Sequence, residues 1–187
     1  MLNYQTSIGK GKSYSGLDIK EISPIMKLNL RGKNRDFLST IGKNINMILP
    51  IEANTSSSSD KYTSMWLSPD EWMVISNNLV DKENNNNEIE ELLFNKISKN
   101  NLGAITDVSD QFVLINLNGD KVFELFSTGC PFDFNNFKTK KGAVVQTLLT
   151  QIDVIIHHKE LNNVNLFVRR SFSEHLMSWI HDAASRL

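Results

Sequence analysis

The segment Met65–Ile75, with the sequence MWLSPDEWMVI, places a polar turn between two apolar stretches. Ser68 followed by Pro69 and then by Glu71, three positions after the serine, has the form of a capping box with proline at the first helical position. Local geometry alone justifies those residue types, and they predict a single tight turn. The turn joins two predicted strands, residues 63–67 and 71–76.

Two tryptophans, Trp66 and Trp72, bracket this turn. Large aromatic side chains near one loop are unfavourable unless they are buried in the core or against another protein. Burial in the core is the simpler interpretation for either tryptophan alone, and a contact with a partner is the alternative. Asp70 and Glu71 are sequence neighbours without a second carboxylate at a defined distance, so the turn does not indicate a general acid and base pair.

Strands and helices alternate on the N-terminal side of this turn. Residues 25–31 alternate in polarity and predict a strand that ends at Gly32. Apolar residues at helical spacing predict a helix over 37–48, with Asn34 as its N-cap and Pro50 as its stop. Beyond the turn, a second helix is predicted over 88–98.

The second half repeats this order. Its predicted elements are a strand over 112–117, a helix over 122–126, strands over 143–149, 151–157 and 165–168, and a final helix over 171–184. Two successive strand-helix-strand-strand-helix (ferredoxin-like) units predict an α+β fold in which helices cover a largely antiparallel sheet. We expect residues 1–22 to form a flexible arm and 23–187 to form one domain, built from repeats at about 23–100 and 103–187.

Composition excludes several classes of protein. The chain has 187 residues, and 20 Lys and Arg balance 21 Asp and Glu, which does not fit a basic nucleic-acid module. Neither a signal peptide at residues 1–16 nor a membrane-length apolar run is visible. The single cysteine, Cys130, cannot form an intrachain disulfide. We therefore expect a cytoplasmic protein without nucleic-acid or membrane partners.

Motifs for cofactors, metals and nucleophiles are weak. Gly9–Ser13 superficially has the form of a phosphate loop but lacks the required glycine at position 6. His157 and His158 are adjacent in a predicted strand and point to opposite faces, so they predict no metal site. Cys130 lies at a helix end, where the helix dipole disfavours a thiolate. Asp107–Asp110 precedes a strand and is typical of a structural turn.

Arg169 and Arg170 join the last predicted strand to the last helix. Ser171 and Glu174 again have the form of a capping box. The two arginines are candidates to bind an anion or a partner carboxylate, and solvated surface charge is the alternative.

Several segments together resemble the gamma subunit of heterotetrameric sarcosine oxidase. They are Trp66–Trp72, Asp107–Asp110, Leu117–Gly119, Gly129–Asp133 and Val168–Phe172. Their order and spacing span roughly residues 23–187. Two positions depart from the pattern expected of the family: Ser68 stands in place of glycine, and Asp120 in place of proline.

The resemblance implies a subunit of a bacterial, cytoplasmic complex that oxidises sarcosine to glycine with oxygen, forming hydrogen peroxide, while tetrahydrofolate accepts the one-carbon unit. It implies alpha, beta and delta subunits as partners, with FAD, FMN, NAD and zinc held by those subunits and no cofactor in this chain. It also implies a fold similar to the folate-binding domain of the glycine-cleavage aminomethyltransferase.

The first hypothesis is a non-catalytic accessory subunit that stabilises such a complex. Its candidate contact surfaces are two turns, an arginine pair and the basic segment Lys10–Arg35. The individual candidate residues are Trp66, Pro69, Asp70, Trp72, Gly129, Cys130, Pro131, Asp133, Arg169 and Arg170. The alternative is a small stand-alone folate-binding or aminomethyltransferase-like enzyme, for which Asp70, Asp107 and Asp133 are the residues to substitute. A third hypothesis is an independent interaction domain that shares only the fold.

Overall fold

The computed structural model describes residues 6–9, 11–79 and 87–187 and divides into two compact units. We call Pro24–Asp110 the central unit, and we call the residues through Ser23 together with Gln111–Leu187 the terminal unit. Each unit contains one antiparallel sheet and its own apolar core.

The described elements follow the chain in this order. The strands are β1 (Lys12–Tyr14), β2 (Leu17–Glu21), β3 (Lys27–Arg31), β4 (Ser56–Ser58), β5 (Tyr62–Ser68), β6 (Glu71–Ser76), β7 (Ala104–Asp107), β8 (Phe112–Asn118), β9 (Val144–Leu149), β10 (Ile152–Glu160) and β11 (Asn163–Arg169). The helices are α1 (Arg35–Ile45), α2 (Asn87–Leu93), α3 (Val122–Ser127) and α4 (Arg170–Ala184). A π-helical turn, Phe94–Ser98, follows α2, and a 3-10 turn, Phe137–Thr139, follows α3.

The central unit is a five-stranded sheet in the order β4-β5-β6-β3-β7. Helix α1 packs on it through Phe37, Ile41 and Ile45, which are buried at helical spacing. Asn34 caps α1, since its side-chain oxygen accepts a hydrogen bond from the Phe37 amide at 2.6 Å. The predicted helix and its cap are therefore confirmed.

The end of α1 differs from the prediction. The helix stops at Ile45 because Asn46 adopts the left-handed conformation, with φ of 50°, and its amide donates to the Gly42 carbonyl. Residues 46–50 leave the helix before Pro50 is reached. Ile48, which the spacing placed in the helix, is consequently 85% exposed.

The tight turn between β5 and β6 is confirmed. Pro69 and Asp70 form a two-residue turn, and Trp66 lies opposite Trp72 on the neighbouring strand. Directly opposite residues project from the same face of a sheet, so the turn places both tryptophans on one side. That side packs on the central core.

The terminal unit is a six-stranded sheet in the order β1-β2-β8-β11-β10-β9. Helices α3 and α4 contribute buried side chains to the same core as these strands. The predicted strands and helices of the second half are present, with ends that shift by a few residues. The mixed α+β class with antiparallel pairing is confirmed, although two sheets replace the one sheet expected.

The flexible arm predicted for residues 1–22 is corrected over its second half. Residues 12–14 and 17–21 form β1 and β2, and β2 pairs with β8. Leu17 and Ile19 are each 2% exposed and belong to the terminal core. Their burial and the pairing of β2 with β8 together contribute to the order of this segment, because both offset part of the cost of fixing its backbone. The prediction for residues 1–5 lies outside the described residues.

The boundaries of the predicted domain and repeats also change. Strand β7, whose residues fall in the predicted second repeat of 103–187, pairs with β3 and belongs to the central unit. The central unit thus extends to Asp110. The terminal unit contains Gln111–Leu187 and also the N-terminal strands β1 and β2. Among the described residues, no helix is long and apolar enough to cross a membrane.

Candidate functional site

Trp72 is a core residue of the central unit. Its side chain is 3% exposed, its ring lies 6.0 Å from that of Phe37, and its indole Nε1 donates to the Pro50 carbonyl at 2.7 Å. A buried indole whose polar atom is satisfied within the chain has no surface to offer a partner. Trp72 is therefore removed from the candidate contacts, whereas half-buried Trp66 packs on the edge of the same core.

The tip of the β5–β6 turn carries a cluster of charges. The Asp70 carboxylate lies 3.7 Å from both the Arg31 guanidinium and the Lys33 ammonium, and Arg31 also lies 3.7 Å from Glu71. The Ser68 hydroxyl donates to Asp70 at 2.9 Å. This hydrogen bond, supported by Lys33 and Arg31, lowers the pKa of Asp70 despite partial desolvation. We call these five residues the charged hairpin tip.

The charged hairpin tip changes the interpretation of the basic segment. Arg31 and Lys33 belong to the run that was expected to attract an acidic partner, yet both face Asp70 of their own unit. Such exposed pairs contribute little to stability, and they cancel much of the local positive field. The tip is therefore a mixed polar surface, with Pro69 exposed beside it.

The Gly129–Asp133 turn is anchored at its start. A Cβ on Gly129 would lie 2.6 Å from the Trp179 ring, so the close packing requires glycine. The Gly129 carbonyl also accepts a hydrogen bond from the Thr150 amide at 2.9 Å. Cys130 is half-buried, with its Sγ 3.6 Å from the Thr147 hydroxyl, and packs against the terminal core. The expectation that Cys130 acts as a small apolar residue agrees with this position.

The rest of that turn divides into exposed and packed residues. Pro131 and Asp133 are exposed. Phe132 between them contacts Phe134 edge-to-face, with ring centroids 5.1 Å apart. Pro131 and Asp133 are thus the most exposed residues of the turn, while its aromatic residue packs on the terminal core.

The arginine pair lies at the start of α4. Arg169 is exposed and precedes the helix without a side-chain cap. Arg170 is partly buried, and its amide donates to the Gln111 carbonyl at 2.8 Å. Ser171 lies inside the helix, so the predicted capping box at Ser171 and Glu174 is wrong.

The three aspartates of the enzyme alternative each form a local turn contact. Asp107 accepts a hydrogen bond from the Ser109 amide at 2.8 Å, and Asp133 accepts one from the Asn135 amide at 2.9 Å. These are the contacts that short acidic side chains typically make in turns. Asp70 is held ionised by its neighbours, which does not suit a general acid.

Within residues 6–9, 11–79 and 87–187, the candidate phosphate and metal motifs do not form a phosphate or metal site. Gly11 leads directly into β1, so the glycine-lysine segment lacks the helix N-terminus that a phosphate loop requires. The part of the chain that the structure describes contains no group of three or more His, Cys, Asp or Glu side chains arranged to hold a metal. His158 packs against Phe123 and Phe137, while its Nδ1 lies 2.8 Å from the Lys140 carbonyl.

The burial of His157, the other histidine of the pair, predicts that the free energy of unfolding depends on pH. Burial, with smaller contributions from His158 and Lys159, lowers the pKa of His157 from 6.5 to about 4. The unfolded chain therefore binds this proton more tightly than the folded chain. We expect the contribution of neutral His157 to the free energy of unfolding to be fully present above pH 6.5. The free energy of unfolding should fall by about 3 kcal/mol through this residue as the pH drops to about 4.

Urea unfolding between pH 7 and pH 4 measures this effect. The free energy of unfolding is plotted against pH for the native chain and for His157→Gln. The carboxylates titrate in both proteins, so the difference between the two slopes reports His157 alone. His175→Gln, at an exposed position on α4, is the matched control. Equal pH slopes for the native chain and His157→Gln would contradict the prediction.

The candidate contact residues fall into both units. The central unit holds Trp66, Pro69, Asp70 and Trp72, and the terminal unit holds Gly129, Cys130, Pro131, Asp133, Arg169 and Arg170. Two further exposed apolar residues, Ile48 and Ile51, were not predicted as contacts and are 85% and 81% exposed. Helical periodicity wrongly placed Ile48 inside the helix. Asn46 was the signal that could have revealed the exposure of Ile48, because asparagine often ends a helix in the left-handed conformation.

Solved structures share this architecture. The heterotetrameric sarcosine oxidase from Corynebacterium sp. U-96, in complex with pyrrole 2-carboxylate, matches with a TM-score of 0.81 and 19% identity, over 95% of this chain and 88% of that chain. The glycine cleavage system aminomethyltransferase T from Bartonella henselae matches with a TM-score of 0.61 and 13% identity, over 88% of this chain and 45% of that chain. These similarities show that the chain has an aminomethyltransferase-like α+β fold.

The sequence identifies the particular group within that class. Residues 31–186 match the sarcosine oxidase, gamma subunit family. The chain therefore belongs to the sarcosine oxidase gamma subunit family, as the motifs indicated. None of the curated protein sequences matches it significantly.

Proposed function

We propose that this chain is the accessory gamma subunit of a cytoplasmic heterotetrameric sarcosine oxidase, in which it binds alpha, beta and delta subunits. The observation that carries the proposal is the family match over residues 31–186, and the similar fold of the Corynebacterium oxidase supports it. The complex would oxidise sarcosine to glycine and pass the one-carbon unit to tetrahydrofolate.

The chemistry of the described side chains supports an accessory role. Asp70, Asp107 and Asp133 each serve a turn, and Cys130 packs on a core. Each of these residues already has a structural role that accounts for its position. The proposal therefore assigns FAD, FMN, NAD and zinc to the other subunits and gives this chain a role in assembly.

A tagged copy of the full chain, coexpressed with the products of its neighbouring genes, tests the proposal. We expect the chain to copurify with large flavin-bearing subunits, and we expect the eluate to form peroxide when sarcosine is added. Flavin absorbance and peroxide release are the two measurements. An untagged chain on the same resin is the control for nonspecific retention.

Two outcomes would contradict the accessory role. The first is a flavin-bearing oxidase that assembles with full activity while this chain elutes alone. The second is a chain that elutes alone and retains folate, which would favour the small folate-binding enzyme. In that case, alanine substitution of Asp70, Asp107 or Asp133 should impair folate turnover, and normal turnover in all three would reject catalysis by these residues.

A further inference from the structure

An apolar groove of about 650 Å³ lies in the central unit, between α1 and the segment that follows it. We call it the α1 groove. Leu38 and Gly42 line it from the helix, and Ile48 and Ile51 line it from the following segment. The two isoleucines are 85% and 81% exposed, so an apolar surface of this unit is open to solvent.

The segment that presents these isoleucines is fixed in place. The Ile48 carbonyl accepts a hydrogen bond from the Ser57 hydroxyl at 2.6 Å, and the Pro50 carbonyl accepts one from Trp72 Nε1 at 2.7 Å. Met47 and Leu49, which alternate with the exposed residues, are buried in the central core. The outward direction of Ile48 is therefore set by the burial of its neighbours on both sides.

The charged side chains that line the groove have one sign. In the lining that the structure describes, Arg35 and Lys43 are the charged residues and no carboxylate is present. Among the described residues, neither cation forms an ion pair, in contrast to Arg31 and Lys33 at the charged hairpin tip. A complementary occupant therefore combines apolar side chains with carboxylates.

The exposure of the isoleucines favours a macromolecular occupant over a small molecule. Small-molecule sites bury most of their ligand, whereas Ile48 and Ile51 form an open wall. A stable protein interface covers roughly 800 Å² on each partner, with a few apolar anchors near its centre. The α1 groove has the composition of such an anchor site, with exposed isoleucines next to apolar lining residues.

We propose that the α1 groove docks an apolar, carboxylate-bearing segment of another subunit of the oxidase. Ile48 and Ile51 are the apolar anchors, and Arg35 and Lys43 pair with the carboxylates. This inference rests on the proposed function and deepens it, because it names the surface through which the gamma subunit assembles.

Copurification of full-chain variants with the coexpressed large subunits tests the docking surface. We expect the double substitution Ile48→Ser and Ile51→Ser to weaken the apparent affinity by about tenfold or more. Arg35→Glu should also weaken the apparent affinity, and the loss should be larger at low salt than at high salt because salt screens the charges. Both changes affect exposed side chains, so the melting temperature should stay unchanged.

Matched controls lie in the terminal unit. Leu161→Ser removes an apolar side chain that is 81% exposed, and Lys138→Glu reverses an exposed charge. Neither residue lines the groove, so both variants should copurify like the native chain. Equal losses for the groove variants and the controls would overturn the proposal.

The remaining outcomes separate the two proposals. If the native chain copurifies and the groove variants do so equally well, the docking surface is wrong while the accessory role stands. If the native chain fails to copurify, both fail. If the isolated native chain is a dimer that the isoleucine double substitution converts to a monomer, the occupant is a second copy and the assignment to another subunit is overturned.

Discussion

Trp72→Ala is expected to lower the free energy of unfolding by about 3–5 kcal/mol. The substitution removes a large side chain that is 3% exposed and leaves a cavity beside Phe37. It also removes the donor to the Pro50 carbonyl, which lies 2.7 Å from Nε1 in the native chain. A buried acceptor without a partner adds to the cost of the cavity.

Trp66→Ala is the matched control, because Trp66 lies directly opposite Trp72 in the same hairpin but is only half-buried. We expect it to cost about 1–2 kcal/mol. Trp72→Phe keeps most of the apolar volume and isolates the hydrogen bond, with an expected loss between those of the two alanine variants. Urea unfolding followed by far-ultraviolet circular dichroism measures all three. A loss for Trp66→Ala that equals or exceeds that for Trp72→Ala would contradict this account of the hairpin.

Gly119→Ala is expected to destabilise the terminal unit by about 2–5 kcal/mol. Gly119 has φ of +143°, a backbone conformation that strongly favours glycine. A Cβ there would lie 2.1 Å from the Gly16 carbonyl oxygen, which is backbone and cannot rotate away. The Gly119 amide also donates to the Asn162 carbonyl at 2.9 Å, so a shift of the turn would break a native hydrogen bond.

Gly9→Ala separates the two parts of this effect. Gly9 also has a positive φ, of +70°, but no atom of the residues that the structure describes lies within 4 Å of the position of its Cβ. We therefore expect only the conformational cost, about 1 kcal/mol. Thermal and urea unfolding of both variants measure the difference. Similar losses would show that the close approach of Gly119 to Gly16 contributes nothing, and would contradict the prediction.

Periodicity was sufficient to predict most strands and helices. Helix α1 has three buried apolar residues at helical spacing behind a capping asparagine, and all of that information is local. Strands β1 and β2 were missed because residues 12–21 are short and mostly polar, and their order comes from pairing with β8. Strand β7 was also missed, because its order comes from pairing with β3, which is distant in the chain.

The exposure of the candidate contact residues depends on the tertiary structure. Sequence reasoning identified Trp72 as either core or contact, and only its burial and its hydrogen bond to Pro50 decide for the core. Arg31 and Lys33 belonged to a basic segment, yet their pairing with Asp70 depends on how the hairpin meets β3. Side-chain exposure is set by neighbours that a linear pattern does not specify.

The sequence by itself determined the α+β class, the tight turn at Pro69–Asp70 and the family, because these follow from local periodicity and from motifs in fixed order. Only the tertiary structure decided where the units divide, how β2 joins the terminal sheet and which apolar residues remain exposed. The physical reason is that strand pairing and burial join residues far apart in the chain. Ile48 illustrates this, since its exposure depends on the buried Met47 and Leu49 beside it and on hydrogen bonds from β4 and β6.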